Sequence, residues 1–353
     1  MPAGRAPGRS QAGPRPLGGP TDVLIGRGAP LSELHKFMFD SLPVRGMLVR
    51  LTDSWREVLR RRDRAGDAFG APVRQLVGEM AAAGTLMQAN IKFNGALILQ
   101  IFGDGPVKLA VAEVQPDLAF RATAKVVGPV PDGARLEAML NLHGQGRCAI
   151  TLDPKDKLPG QQAYQGVVPL HGDRREPLQN LGEVLEHYML QSEQLDTKLI
   201  LAADDDVAAG LLIQRLPMEG EGNLAGARNE DEIGVNEAYN RIAHLASTLT
   251  REELLALGPD TLLHRLFWQE TLVRFEPLAG SRGPRFACTC SRERVGQMLK
   301  GLGREEIDGI VVEQGRVEIA CDFCGKQYHF DVVDVGELFT HARNQPPSPR
   351  GVH

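Results

Sequence analysis

The sequence predicts an α+β fold: an N-terminal mixed sheet-and-helix core, a helical linker and a small, cysteine-bearing C-terminal domain. Three observations lead there. The chain has 353 residues, too many for one average domain of about 150. Between residues 31 and 218, strand-like and helix-like segments follow one another without regular βαβ alternation, which favours a largely antiparallel sheet. Four of the five cysteines fall within residues 288–324, so one short segment carries chemistry of its own.

Composition narrows the classes. Apolar residues make up 42% and charged residues 24%, as in ordinary globular chains. The net charge of −5 lacks the basic surplus of a general nucleic-acid binder, so no nucleic-acid partner is expected. No stretch approaches the roughly 18–20 consecutive apolar residues of a membrane-spanning helix, and no membrane partner is expected. Five cysteines in a chain this long do not make a disulfide scaffold.

Residues 1–30 contain 13 Gly or Pro and four Arg, with no aromatic. Such a segment buries too little apolar surface to offset its ordering entropy, and a disordered extension is expected. It lacks the apolar stretch of a secretory signal. The core follows over 31–218. Ser54 and Glu57 have capping-box spacing ahead of a helix with Trp55, Val58 and Leu59 on its apolar side. Pro72 opens a longer helix carrying Leu76, Val77, Met80, Ala83 and Met87 at helical spacing. Leu97, Leu99 and Ile101 alternate, as do Val107, Leu109 and Val111. Gly103-Asp104-Gly105-Pro106 lies between them, so the pair predicts a β-hairpin. Further strands are expected over 148–152, 165–170, 198–202 and 211–216, and a helix over 181–194.

The texture changes over 219–282. Residues 219–232 are Gly-rich and charged. Thr250 and Glu253 then have capping-box spacing ahead of Leu254, Leu255 and Leu257, and Leu262, Leu263, Leu266, Phe267 and Trp268 follow. These predict short helices with apolar faces and no strand partners. Isolated helices this short are marginal in water, so their order must come from docking on the core or on the C-terminal domain. Residues 280–284 break the chain again.

The C-terminal domain, 283–341, reads C-x-C at Cys288 and Cys290, then thirty residues, then C-x-x-C at Cys321 and Cys324. Residues 342–353 are expected to be a disordered tail. Zn²⁺ favours four tetrahedral ligands, and two close-spaced pairs each supply one edge of the tetrahedron. A single zinc per chain is expected, held by Cys288, Cys290, Cys321 and Cys324. Tyr328-His329-Phe330 after the C-x-x-C-G turn reads as a strand. A thioredoxin-type redox pair needs a helix after its first cysteine, and strand character there argues against one. A nucleic-acid ribbon is disfavoured by charge, with eight Lys/Arg against ten Asp/Glu over 281–341. A purely structural zinc ribbon in an interaction protein stays open. A segment of about 55–60 residues is marginal alone. Structural zinc contributes about 10–16 kcal/mol of apparent folding free energy, so losing it should unfold the domain. Zinc-bound thiolates are also oxidisable, so the chemistry permits a switch.

The chain resembles the redox-regulated 33 kDa chaperonin family (heat-shock protein 33), a group of cytoplasmic holdases. The resemblance is most specific at Cys288-Thr289-Cys290-Ser291-Arg292-Glu293-Arg294 with Cys321-Asp322-Phe323-Cys324-Gly325. Weaker landmarks follow in order: Phe37-Met38-Phe39 through Val44-Arg45-Gly46, Lys92-Phe93-Asn94-Gly95, Gly103-Asp104-Gly105-Pro106, Tyr164-Gln165-Gly166-Val167-Val168 and Ser192-Glu193-Gln194-Leu195. Together they span about residues 31–341. The resemblance implies a substrate-binding, dimerising core, a metastable linker and a zinc-binding redox-switch domain. It implies that peroxide with mild unfolding, or hypochlorite, forms Cys288–Cys290 and Cys321–Cys324 disulfides, releases zinc and unfolds the linker. The exposed surface, including Leu254, Leu255, Leu262, Leu263, Leu266, Phe267 and Trp268, would then hold unfolding client proteins without ATP. A homodimer is implied for the oxidised form. The chain departs from the family in its N-terminal extension and in a longer approach to the linker at 219–234.

Other residues have plainer readings. Cys148 sits in an alternating run with Ile150 and Leu152, which predicts a buried structural thiol. The nine histidines show no ligand spacing, and His329 reads as a strand residue. Gly103-Asp104-Gly105 and Gly301-Leu302-Gly303 lack any nucleotide fingerprint and read as turns. The chain is therefore expected not to be an enzyme.

Overall fold

Among the described residues, twelve strands build two large sheets, the longer ones with alternating apolar residues, and a helix with no polar side fills the space between them. The computed structural model describes residues 31–156, 160–217 and 230–340. The expected disordered ends and the linker approach at 219–229 lie outside the described residues. The chain begins with β1 (Glu33–Phe39), β2 (Val44–Leu51), α1 (Asp53–Arg64) and α2 (Ala71–Asn90). Next come β3 (Gly95–Phe102), β4 (Val107–Val114), β5 (Ala119–Val126), α3 (Leu136–Leu140), β6 (Arg147–Pro154) and β7 (Tyr164–Pro169). The core closes with α4 (Leu181–Glu193), β8 (Thr197–Ala203) and β9 (Ala208–Arg215). The linker holds α5 (Glu230–Ser247), α6 (Arg251–Ala256) and α7 (Pro259–Phe267), then β10 (Leu272–Arg274) and β11 (Leu278–Ala279). After β12 (Arg285–Phe286) come α8 (Arg292–Leu302), α9 (Arg304–Gln314), β13 (Val317–Ala320), β14 (Gln327–Phe330) and α10 (Val332–Phe339).

The first sheet runs β10-β1-β2-β9-β8, with β11 also on β1; the second runs β12-β5-β4-β3-β6-β7. All pairings are antiparallel except β12 on β5, so the expected α+β, largely antiparallel class holds. The β3–β4 hairpin forms about Gly103–Pro106 as the alternation predicts. Helix α2 is buried along nearly its whole length. Its apolar residues and those of both sheets form one core, as expected for a helix without a polar face. Small residues allow the close approach: a Cβ on Gly78 would lie 2.4 Å from Cβ of Ala203.

Two expectations are corrected. Ser54 and Glu57 do not form a capping box. The helix starts two residues earlier than that box implies, at Asp53 after Thr52. The Ser54 hydroxyl is buried 2.7 Å from Ser32 Oγ, and Glu57 turns to Arg60 and Arg61. Ser32, far away in sequence, takes over the helix entrance by accepting from the Thr52 and Ser54 amides at 2.9 and 3.3 Å. The linker also has strand partners. β10 and β11 both pair with β1, and β12 then joins the other sheet beside β5. Residues 272–286 thus stitch the two sheets together. Strands of two or three residues carry no periodicity, which is why the sequence does not reveal them.

Helices α5–α7 cover the outer face of the first sheet. Phe37, Phe39, Val44, Leu48, Leu211 and Ile213 there share a core with Ile242, Leu254, Leu262, Leu263, Leu266 and Phe267. The predicted Thr250–Glu253 capping box opens α6. Arg50 of β2 closes the other end, donating to the carbonyls of Leu254, Leu255 and Leu257 at 2.8–2.9 Å. Among the described residues no helix is long and apolar enough to cross a membrane.

Candidate metal centre

The C-terminal unit is a small core of Leu299, Ile307, Val311, Val317, Tyr328, Phe330 and Val335. Ser291 caps α8 by accepting from the Arg294 amide. That cap fixes the chain just after Cys290. The β13–β14 hairpin presents Cys321 and Cys324 at its turn. Gly325 N–H donates to the Cys321 carbonyl at 2.8 Å, and Cys321 N–H to the Lys326 carbonyl at 2.9 Å. The turn needs φ of 68° at Gly325, where a side chain would be strained. Space is short there too, since a Cβ would come within 3.0 Å of the Ala65 Cβ.

These elements bring all four predicted ligands together. The sulfurs of Cys288, Cys290, Cys321 and Cys324 lie within 4.8 Å of one another. Cys288 and Cys321 are 3.7 Å apart, and Cys290 and Cys324 are 3.4 Å apart. A tetrahedron with Zn–S bonds of about 2.3 Å has edges of about 3.8 Å. The donor set and spacing fit one tetrahedral, thiophilic metal ion. The sulfurs are not electrically equivalent. The hydrogen bond with Cys321 pulls the Cys288 thiol down to about 4. The same bond, then burial, pushes Cys321 up. Burial leads in raising Cys324. Tyr328 donates to Cys290 Sγ at 3.1 Å. A site that ionises all four thiols needs the charge of a cation among them.

The centre faces the core. The Asp322 carbonyl accepts from Arg62 Nη1 at 2.9 Å and from Thr123 Oγ1 at 2.8 Å. The Arg121 guanidinium lies 4.2 Å from the centre of the Phe323 ring, and its Nη1 is 3.9 Å from Cys288 Sγ. Sequence reasoning missed these core residues. They lie far from the cysteines along the chain, and no local pattern links them.

A family model described as "Hsp33 protein" matches residues 32–331. The chain belongs to the Hsp33 family. The 33 kDa chaperonin of Chromobacterium violaceum is 46% identical over 309 residues, covering 88% of this chain and 94% of that one. The 33 kDa chaperonin of Neisseria meningitidis serogroup A is 41% identical over 305 residues, covering 86% and 90%. The crystal structure of the 33 kDa chaperonin of Thermotoga maritima aligns with a TM-score of 0.65 at 20% identity, covering 87% of this chain and 97% of that chain. At that identity the likeness speaks for the fold.

Other predicted residues divide. Cys148 is fully buried, and burial pushes its thiol up to about 12, as its strand context suggests. His329 lies on β14, outside the sulfur cluster. Leu254, Leu262, Leu263, Leu266 and Phe267 are buried between the linker helices and the first sheet, and Leu255 packs at the edge of that core. Trp268 is 67% exposed. It lies past the end of α7, so it is open already rather than masked.

Proposed function

We propose that this chain is a redox-gated, ATP-independent holdase that works in the cytoplasm and binds unfolding proteins rather than turning over a substrate. The supporting observation is the cluster of four sulfurs with zinc-ligand spacing, seated against the core of a chain in the Hsp33 family. Zinc, when bound, keeps the four thiolates ionised and cross-links the two motifs. Cys288 and Cys290, and Cys321 and Cys324, are the pairs that oxidise. All the sulfurs lie within 4.8 Å, so proximity alone selects no pairing; the family resemblance does. In each pair two thiolates lose two electrons and form an S–S bond. A peroxide takes those electrons, its O–O bond breaks, and two protons complete two waters. With hypochlorous acid the products are chloride and water. Disulfide sulfurs are poor ligands, so the C-terminal unit loses the cross-link that a segment of its size needs.

Among the described residues, the apolar sides of the linker helices share one core with the sheet face they cover. Once released they uncover Phe37, Phe39, Val44 and Leu48 together with their own leucines and Phe267. A contiguous apolar area beyond a few hundred Å² suits client capture and homodimerisation of the oxidised chain. The test uses one sample, measured before and after peroxide treatment, for zinc release and for suppression of client aggregation. Both are expected to rise together. A protein that keeps its zinc, or releases it without holding clients, instead has a purely structural zinc ribbon.

A further inference from the structure

We propose that Arg61 and Arg121 form an electrostatic latch that seats the C-terminal unit on the core by facing the negative charge of the four-thiolate centre, and lets go when that charge is lost. The inference rests on the redox reading above and gives it a route from the sulfurs to the core.

Both arginines are aimed by carboxylates of the core. Arg121 donates to Glu113 through Nε at 3.0 Å and Nη2 at 2.5 Å. That fork occupies one edge of the guanidinium and leaves Nη1 facing Cys288 Sγ at 3.9 Å. The flat face stacks on the Phe323 ring between the two C-x-x-C cysteines. Arg61 donates from Nε to Glu57 at 2.6 Å, and its guanidinium lies 4.8 Å from the Phe286 ring centre. Its carbonyl lies 3.5 Å from where a Cβ on Gly325 would stand, so Arg61 sits on the stretch of α1 that borders the C-x-x-C turn. Arg121 thus attends a sulfur of the C-x-C motif, and Arg61 brings a second cation to the side of the C-x-x-C turn.

The charges match. Four thiolates around one divalent cation leave two net negative charges, on a unit that is already acidic. Arginine keeps its proton at any relevant pH, so only the sulfur side changes. Two disulfides carry no charge. Arg121, with a side chain 17% exposed, would then turn a donor toward neutral sulfur with little water to replace the lost acceptor. The other anchors, Arg62 and Thr123 on the Asp322 carbonyl, depend on the shape of the turn rather than on its charge. The seam therefore responds to both charge and fold of the centre.

The test uses the full chain, reduced and zinc-loaded, as wild type, as Arg61→Gln/Arg121→Gln and as Arg121→Lys. Hydrogen exchange at residues 285–290 and 321–326 reports docking, and metal analysis reports zinc. The double variant is expected to keep its zinc and to exchange roughly tenfold faster at the seam, the effect of losing one or two charge-assisted hydrogen bonds. Arg121→Lys should recover part of the protection. Raising salt from about 0.05 to 1 M should loosen the wild-type seam but not the double variant's. Wild-type exchange in the double variant, or zinc lost from it while reduced, overturns the latch. If the variants do not fold, the salt series on wild type decides, and a seam indifferent to salt overturns it. These readings come from reduced protein. They are therefore separate from the redox proposal, which fails if oxidised wild type neither releases zinc nor holds clients.

Discussion

The thiols of this chain stand in two different surroundings. Cys148 lies inside β6, closed off from solvent, with its ionisation suppressed to about 12. A thiol that does not ionise neither attacks an oxidant nor ligates a metal. Cys148→Ser is therefore expected to leave zinc content and oxidative activation unchanged, measured by metal analysis and an aggregation assay. A large loss of activation would mean that a redox residue had been taken for packing. Cys321→Ser is expected to lose most of its zinc, because three thiolates cannot complete the tetrahedron. Unchanged stoichiometry would remove Cys321 from the ligand set. Both placements, the sulfur cluster and the buried thiol, are legible in the sequence, since ligand spacing and strand alternation are local patterns. The arginines that meet the centre are not. Arg121 is 167 positions from Cys288, and Arg62 is 260 from Asp322, so only the folded sheet brings them there.

Among the elements, α6 and α7 are too short to be stable alone and rest on the first sheet. Phe267 closes a ring cluster with Phe37 and Phe39, at 6.2 and 5.0 Å between centroids. Phe267→Ala should cost about 3–5 kcal/mol of linker docking. That is enough to give the reduced protein measurable holding activity. An inactive reduced variant with normal oxidative activation would show that undocking the linker does not gate the surface. On the opposite side of the first sheet, α2 buries Glu79. Burial raises its carboxyl to about 7, against smaller lowering effects of Gln75 and then Arg251. Its unfolded pKa is near the ordinary 4.5, so between about 4.5 and 7 the folded chain binds more protons than the unfolded one. Stability then falls as pH rises through that window. Glu79→Gln should add about 1–3 kcal/mol at pH 8 and little at pH 4, flattening the pH dependence of Tm. An equal gain at both pH values would rule out ionisation as the cause. The sequence shows α2, the β3–β4 hairpin and the Thr250 cap because each follows from residues a few positions apart. It misplaces the entrance of α1 because the capping group comes from Ser32, and it misses β10–β12 because they are too short for alternation.

At the scale of the molecule, the question is how an event at the sulfurs reaches the linker. The sequence suggests helices docked between the core and the C-terminal domain. In the structure the linker helices rest on the first sheet, whereas the contacts described for the sulfur centre fall on α1 and β5 of the core. The connection between them is the strap of β10, β11 and β12. It leaves α7, runs along the edge of β1 and crosses to β5 immediately before Cys288. β12 pairs over only two residues, Arg285 with Ala119 and Phe286 with Phe120, so it has little strength of its own. When the C-terminal unit unfolds, β12 should leave β5, then β11 and β10 should leave β1. Helices α6 and α7 would next lose the chain that holds their C-terminal end. The prediction is an order of opening. On oxidation, exchange protection should vanish first at 285–340, next at 271–279 and then across the linker helices from about 235 to 267, while β3–β5 keep theirs. Hydrogen exchange resolved in time after peroxide treatment measures it. Linker helices that lose protection before the strap would show a signal passing by another route. Helices that stay protected while the C-terminal unit is unfolded would leave the zinc site a structural ribbon, because nothing would then connect its loss to the apolar face.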